Sequence, residues 1–195
     1  MGKLLAVENV SLDGVMQSPG RADEDTREGF SRGGWATEML MADPEAMQAS
    51  MPSGDQPTAM LFGRRTYDDL VGHWLTTDDP NPFTDVLRAQ PKYVASRSGA
   101  DLPHPNSHRL EGDAVEAVRA LKSEFDMDFV LLGSGELLHD LAAAGLVDEY
   151  LLTILPVVLG SGRRLFGDTY AELEVVRSYT SPTGIVVATY RVARS

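Results

Sequence analysis

The chain has 195 residues, enough for a single domain that buries roughly 70% of its unfolded surface without a disulfide or metal staple. Its 17 Lys and Arg against 29 Asp and Glu leave a net charge of −12, evenly shared by the two halves, which disfavours nucleic acid as a partner. With no cysteine, disulfide frameworks, thiolate zinc sites and a cysteine nucleophile are all excluded.

The N-terminal run Met1–Val7 turns polar at Glu8 and Asn9, too soon for a secretory signal. No stretch approaches the roughly 20 apolar residues of a membrane span, so the expectation is a cytoplasmic protein without a membrane partner. Residues 3–10 read as an opening strand, stopped by Ser11-Leu12-Asp13-Gly14. Residues 15–57 form a long connection rich in glycine, proline and acids, with one helix near Trp35–Ser50; connections this long are functional or mobile. The pattern then alternates: strand Thr58–Phe62, helix Arg64–Val71, short helix Pro82–Ala89, strand Lys92–Ser96, a turn-rich loop over 97–106 and strand Ser107–Leu110. Asp113 and Glu116 have capping-box spacing and open a helix that runs to about Glu124. Strand Phe129–Leu132, helix Glu136–Ala144, a stop at Gly145 and buried strand Tyr150–Leu155 follow. Leu173–Tyr179 and Ile185–Val192 alternate around Ser181-Pro182-Thr183-Gly184, a hairpin signature. The expected fold over 1–195 is a single α/β domain. Its central sheet is mixed and mostly parallel, flanked by helices, with a C-terminal antiparallel hairpin.

Four segments carry candidate chemistry. Gly133-Ser134-Gly135-Glu136-Leu137 lies between a buried strand and a helix, where backbone amides at the helix start suit a pyrophosphate; the same glycines also make a plain tight turn. Gly63-Arg64-Arg65-Thr66-Tyr67 repeats that geometry with two guanidinium groups and a hydroxyl, which surround a phosphate or merely cap a solvated helix. Ser96-Arg97-Ser98 ends a strand in groups suited to a ribose 2′-phosphate, or is a polar loop. Gly160-Ser161-Gly162-Arg163-Arg164 closes on a ligand or links two elements.

Acid–base candidates are few. His104 and His108 stand four apart, but Pro105 between them removes helical metal ligation, and no metal site is expected. Asp13, in the turn after the first strand, is the carboxylate best placed to face a site, against its reading as a plain Asp-Gly turn former. Trp35, after Gly33-Gly34, is a stacking surface or a core anchor.

In order along the chain, Ser11-Leu12-Asp13-Gly14, Gly63–Tyr67, Ala95-Ser96-Arg97, Gly133–Leu137, and Gly145–Glu149 followed by Pro156–Gly160 resemble the dihydrofolate reductase-like superfamily. Within it they are similar to stand-alone relatives of the C-terminal reductase domain of the riboflavin-biosynthesis deaminase-reductase. The resemblance spans residue 3 to about 192. It implies NADPH bound at the carboxyl edge of the sheet, with Gly63, Arg64, Arg65 and Thr66 on cofactor phosphates. Ser96 and Arg97 would then lie near the adenosine 2′-phosphate, and Gly133, Ser134, Gly135, Glu136 and Leu137 would cradle the pyrophosphate. Ala6 and Val7 would sit beside the nicotinamide, Gln17, Trp35 and Tyr67 on the substrate side, and Asp13 would supply or order the proton. It also implies a homodimer acting on a small molecule. The expected function is NADPH-dependent reduction of a small heterocyclic or ribosylated substrate, such as 5-amino-6-(5-phosphoribosylamino)uracil. A dihydrofolate or pterin reductase and a non-catalytic nucleotide-binding protein are the alternatives. No acid in 15–57 matches the one that dihydrofolate reductases place on the helix after the first strand.

Overall fold

Strand β1 (Leu4–Ser11) alternates buried and half-buried residues, as a strand covered more deeply on one face than the other must. The connection after it holds two short helices, α1 (Thr37–Met41) and α2 (Pro44–Ala49), where the sequence predicts one. Asp43-Pro44 divides them, because a residue before proline is pushed out of helical geometry. Asp43 then caps α2, accepting from the Ala46 amide at 3.0 Å. The structure, a computed structural model, describes residues 2–52 and 56–193; residues 53–55 of that connection lie outside the described residues.

Strand β2 (Thr58–Gly63) passes directly into α3 (Arg64–Thr66), a π-helical segment (Tyr67–Val71) and α4 (Gly72–Thr76), carrying the helix past its expected end at Val71. Next come α5 (Pro82–Ala89), which opens on an Asn81 capping box, and strands β3 (Lys92–Ala95) and β4 (Ser107–Leu110). In α6 (Ala114–Glu124) the Asp113 carboxylate accepts from the Glu116 amide at 3.1 Å, as the spacing predicts. Strand β5 (Asp128–Leu132) leads to α7 (Gly135–Ala143), which stops before Gly145 at φ +67°. Strand β6 (Glu149–Leu155) and the hairpin β7 (Leu173–Thr180) and β8 (Val186–Val192) complete the chain.

These elements fold as two compact units. One comprises Met1–Leu5 and Asp55–Leu146, with strand order β4-β3-β2-β5. All three pairings in it are parallel; helices lead from β2 to β3 and from β4 to β5, and the 96–106 loop leads from β3 to β4. Its core includes Met60, Phe62, Tyr67, Val71, Leu87 and Val94, so β2 and β3 pack against the helix that β2 feeds. The other comprises Ala6–Gly54 and Val147–Ser195, with strand order β1-β6-β8-β7. There β8 pairs antiparallel with both β6 and β7. The hairpin turn is tied to α2, since the Thr183 hydroxyl donates to the capping carboxylate of Asp43 at 2.5 Å. The fold class is therefore the expected one: mixed, mostly parallel, flanked by helices, with a C-terminal antiparallel hairpin.

Candidate functional site

Parallel pairing lines up the carboxyl ends of three strands in the first unit. The register sets Gly63 opposite Ala95 and Leu61 opposite Leu131, so β2, β3 and β5 end side by side. The carboxyl edge of such a sheet is where α/β folds bind ligands. Three of the segments singled out from sequence thereby come together: Gly63–Thr66, Ser96-Arg97 and Gly133–Leu137.

Two hydrogen bonds lock the first to the third. The Gly63 amide donates to Ser134 Oγ at 2.9 Å, and the Ser134 amide donates to Thr66 Oγ1 at 3.1 Å. Ser134 sits in left-handed geometry (φ 60°, ψ 43°) at the N-cap of α7, and its hydroxyl donates back to Leu132 O at 3.1 Å. It therefore does not cap its own helix, and the first α7 amides have no intrahelical acceptor. Gly133 fits closely: at φ +55°, a Cβ there would lie 3.2 Å from Thr66 Cγ2. Glycine there lets the end of β5 approach Thr66 closely.

The two arginines differ. Arg64 donates through Nε to both Asp68 oxygens, at 2.8 and 2.7 Å, and through Nη1 to Ala100 O at 2.9 Å. Its guanidinium is committed to holding the 97–106 loop, and the Asp68 carboxylate raises its pKa further. Arg65 is 65% exposed, with Glu136 Oε1 3.6 Å away. In water such a pair is worth little, so the guanidinium is free to turn to an anion. Ser96 is half-buried and bonds Ser98, while Arg97 is exposed; Arg109 holds the rest of the loop by donating to Ser98 O and Ala100 O. Glu136 is exposed and Leu137 buried, so Leu137 has only its backbone to offer. Tyr67, expected on the substrate side, is fully buried. Its hydroxyl donates to Ser107 Oγ at 3.0 Å and accepts from the His104 amide at 3.2 Å, so it ties β4 to the helix and offers no open surface.

The second unit has its own polar centre around Asp13. The Ser11 hydroxyl and the Leu159 amide donate to Oδ1 at 2.7 and 3.0 Å, and the Gly160 amide donates to Oδ2 at 2.8 Å. These bonds pull the Asp13 carboxyl down to about 2. A carboxylate so held carries no proton near neutrality. It clamps the 156–162 segment to the first turn, and so decides between the readings of Gly160-Ser161-Gly162: here it is a fastened link. Gly162 has φ +116°, and a Cβ there would lie 2.6 Å from Val15 Cγ1 and 2.8 Å from Phe30 Cε2.

Gln17 and Trp35 belong to the same fastening. Gln17 is 4% exposed. Its Nε2 donates to Asp25 O and Arg27 O at 3.1 Å each, and its Oε1 accepts from the Arg163 amide at 2.9 Å. Trp35 Nε1 donates to Gln17 O at 2.8 Å, and its ring packs on Val15, Phe30 and Leu159. Both order the connection that looked loose in sequence. Ala6 is fully buried and Val7 half-buried in β1.

Sequence reasoning passed over Glu8. It occupies the buried row of β1 with Leu4, Ala6 and Val10, is 6% exposed, and its Oε1 has no hydrogen-bond partner. Burial, with the negative charge of Glu24 added, holds its carboxyl well above the usual range. The signal was there: an acid in an otherwise apolar alternating row.

Among the described residues no helix is long and apolar enough to cross a membrane, and no cluster of His, Asp and Glu could hold a metal ion.

Comparison with known proteins places these features. A family model described as the RibD C-terminal domain matches residues 3–187. The uncharacterized protein YyaP of Bacillus subtilis (strain 168) is 31% identical over 142 residues, covering 70% of this chain and 74% of that protein. A putative riboflavin biosynthesis protein from Shewanella sp. PV-4 superposes with a TM-score of 0.64 at 18% identity, covering all of both chains. Dihydrofolate reductase from Enterococcus faecalis, complexed with NADP(H), superposes at 0.60 and 13% identity, covering 99% of this chain and 98% of that one. The Thermotoga maritima diaminohydroxyphosphoribosylaminopyrimidine deaminase/5-amino-6-(5-phosphoribosylamino)uracil reductase superposes at 0.60 and 16% identity, covering 98% of this chain and 57% of that one. At these identities the structural likenesses establish the fold.

Proposed function

Since the chain belongs to the RibD C-terminal domain family, we propose that it is a reductase that uses NADPH to reduce a small heterocyclic or ribosylated substrate. A substrate like the 5-amino-6-(5-phosphoribosylamino)uracil named for the Thermotoga maritima relative fits this reading. The observation that carries it is the corner where β2 and β5 end together. Ser134 spends its side chain on the strands and does not cap α7.

That corner fits a dinucleotide by its donor set. The backbone amides at Gly135–Leu137 and the positive end of α7 would hold the pyrophosphate. Arg65 would leave Glu136 to neutralise phosphate charge, while Arg64 keeps the neighbouring loop in place. Arg97, exposed at the end of β3, would meet the 2′-phosphate that distinguishes NADPH from NADH. When bound, the cofactor supplies a hydride from C4 of its nicotinamide; the protein supplies alignment and exclusion of water. On a protein of net charge −12, a local group of arginines also draws an anion to one place on an otherwise repelling surface.

The test is NADPH oxidation, followed by its near-ultraviolet absorbance, with 5-amino-6-(5-phosphoribosylamino)uracil and separately with dihydrofolate. The reading expects turnover of the pyrimidine. NADPH binding with neither compound reduced would instead support the non-catalytic alternative.

A further inference from the structure

The loop after β3 joins two parallel strands without a helix, so its order has to come from side chains. Two guanidinium groups of the same unit grip its first residues from outside. Arg64 donates through Nη1 to Ala100 O at 2.9 Å. Arg109, on β4, donates through Nη1 to Ser98 O at 2.9 Å and through Nη2 to Ala100 O. Ser96 adds a local turn, its hydroxyl donating to Ser98 O at 3.0 Å and accepting from the Ser98 amide at 3.2 Å. Ser98 O and Ala100 O thus each accept from two side chains. Arg97 stands between these fixed points, exposed and without a hydrogen bond or ion pair among the described residues.

The charges on this loop are unequally balanced. Arg64 has the Asp68 carboxylate 2.7 Å away. Among the described residues neither Arg97 nor Arg109 forms an ion pair. Arg109 spends its donors on carbonyls, which leaves its charge unneutralised. It therefore raises the positive potential around Arg97 while fixing the backbone that bears it. A guanidinium suits this task better than an ammonium, because its planar fork spans two carbonyls at once.

Resting on the reductase reading above, we propose that Arg109 is the positioning residue for nucleotide choice: by fixing residues 98–100 it holds Arg97 where the ribose 2′-phosphate arrives. Without the fork, Arg97 has to be ordered at the moment the nucleotide binds. That cost falls on NADPH alone, since NADH offers Arg97 no phosphate to meet. Arg109 touches no ligand in this role; it acts through Arg97.

Calorimetric titrations with NADPH and NADH test this on the natural protein, Arg109→Gln, Arg109→Lys and Arg97→Ala. Arg109→Gln should weaken NADPH binding about tenfold and leave NADH within about twofold. Arg109→Lys keeps the charge without the fork, and should still lose about fivefold or more for NADPH. Added to Arg97→Ala, Arg109→Gln should cost no further NADPH affinity, because its effect passes through Arg97. Amide hydrogen exchange without nucleotide should quicken at residues 97–100 in both Arg109 variants and stay unchanged in β2 and β5. Equal loss of NADPH and NADH, full NADPH preference in either Arg109 variant, or a further loss in the Arg97→Ala background would overturn the proposal. A natural protein that binds neither nucleotide, or both equally, would overturn the NADPH reading, and this role with it. A natural preference for NADPH that Arg109→Gln leaves intact would overturn this role alone.

Discussion

At the scale of single residues, two acids close in sequence are driven in opposite directions by their partners. Asp13 is surrounded by donors and Glu8 by none. Because the folded pKa of Asp13, about 2, lies below the roughly 3.9 of an unfolded aspartate, its bonds stabilise the fold above about pH 4. That contribution fades as pH falls through the folded value. Urea unfolding midpoints taken from pH 6 down to pH 2 should therefore drop less steeply for Asp13→Asn than for the natural protein. Parallel curves would refute the clamp. Glu8 has the opposite sign: its raised folded pKa makes the carboxyl a burden once pH climbs above the unfolded glutamate value. Glu8→Gln should accordingly gain stability relative to the natural protein between mildly acidic and alkaline pH, a comparison that the same unfolding assay makes. Both residues were visible in the sequence. What could not be read there was the company they keep: the amides that fix Asp13 come from Leu159 and Gly160, far along the chain.

Elements show why some of the fold was legible and some was not. The strand–glycine–helix units at Gly63 and Gly133 could be read because each glycine interrupts a short apolar run just before a helical pattern. The capping spacing at Asp113 and the hairpin turn at Ser181–Gly184 are equally local signals, and local physics honours them. The 15–57 connection could not be read, since Gln17 and Asp43 fasten it to the Arg163 amide and the Thr183 hydroxyl, far along the chain. Even there Asp43-Pro44 announced the break between α1 and α2. The same distant fastening makes Gly162 sensitive. Gly162→Ala must displace Val15 and Phe30 while adopting a φ that side chains avoid. It should cost about 1–3 kcal/mol in urea unfolding at neutral pH. A loss no larger than a few tenths would mean that the 156–162 segment is not held as described.

Across the whole molecule, the acidic surface and the clustered arginines divide the labour. The excess acid disfavours polyanions, and the corner at the ends of β2, β3 and β5 carries Arg64, Arg65 and Arg97, the charges that the proposed reading assigns to one small anion. The homodimer implied by the family resemblance is checked by sedimentation, which should give about twice the 21.2 kDa of the chain. The claim on which the functional account turns is that this corner reads a phosphorylated nicotinamide nucleotide. Calorimetric titration with NADPH and then NADH, on the natural protein and on Arg97→Ala, tests it most directly. The account predicts micromolar NADPH binding, about tenfold (about 1.4 kcal/mol) tighter than NADH, with Arg97→Ala erasing most of the difference and leaving NADH unchanged. Binding of neither nucleotide, or equal binding of both in the natural protein, would contradict it.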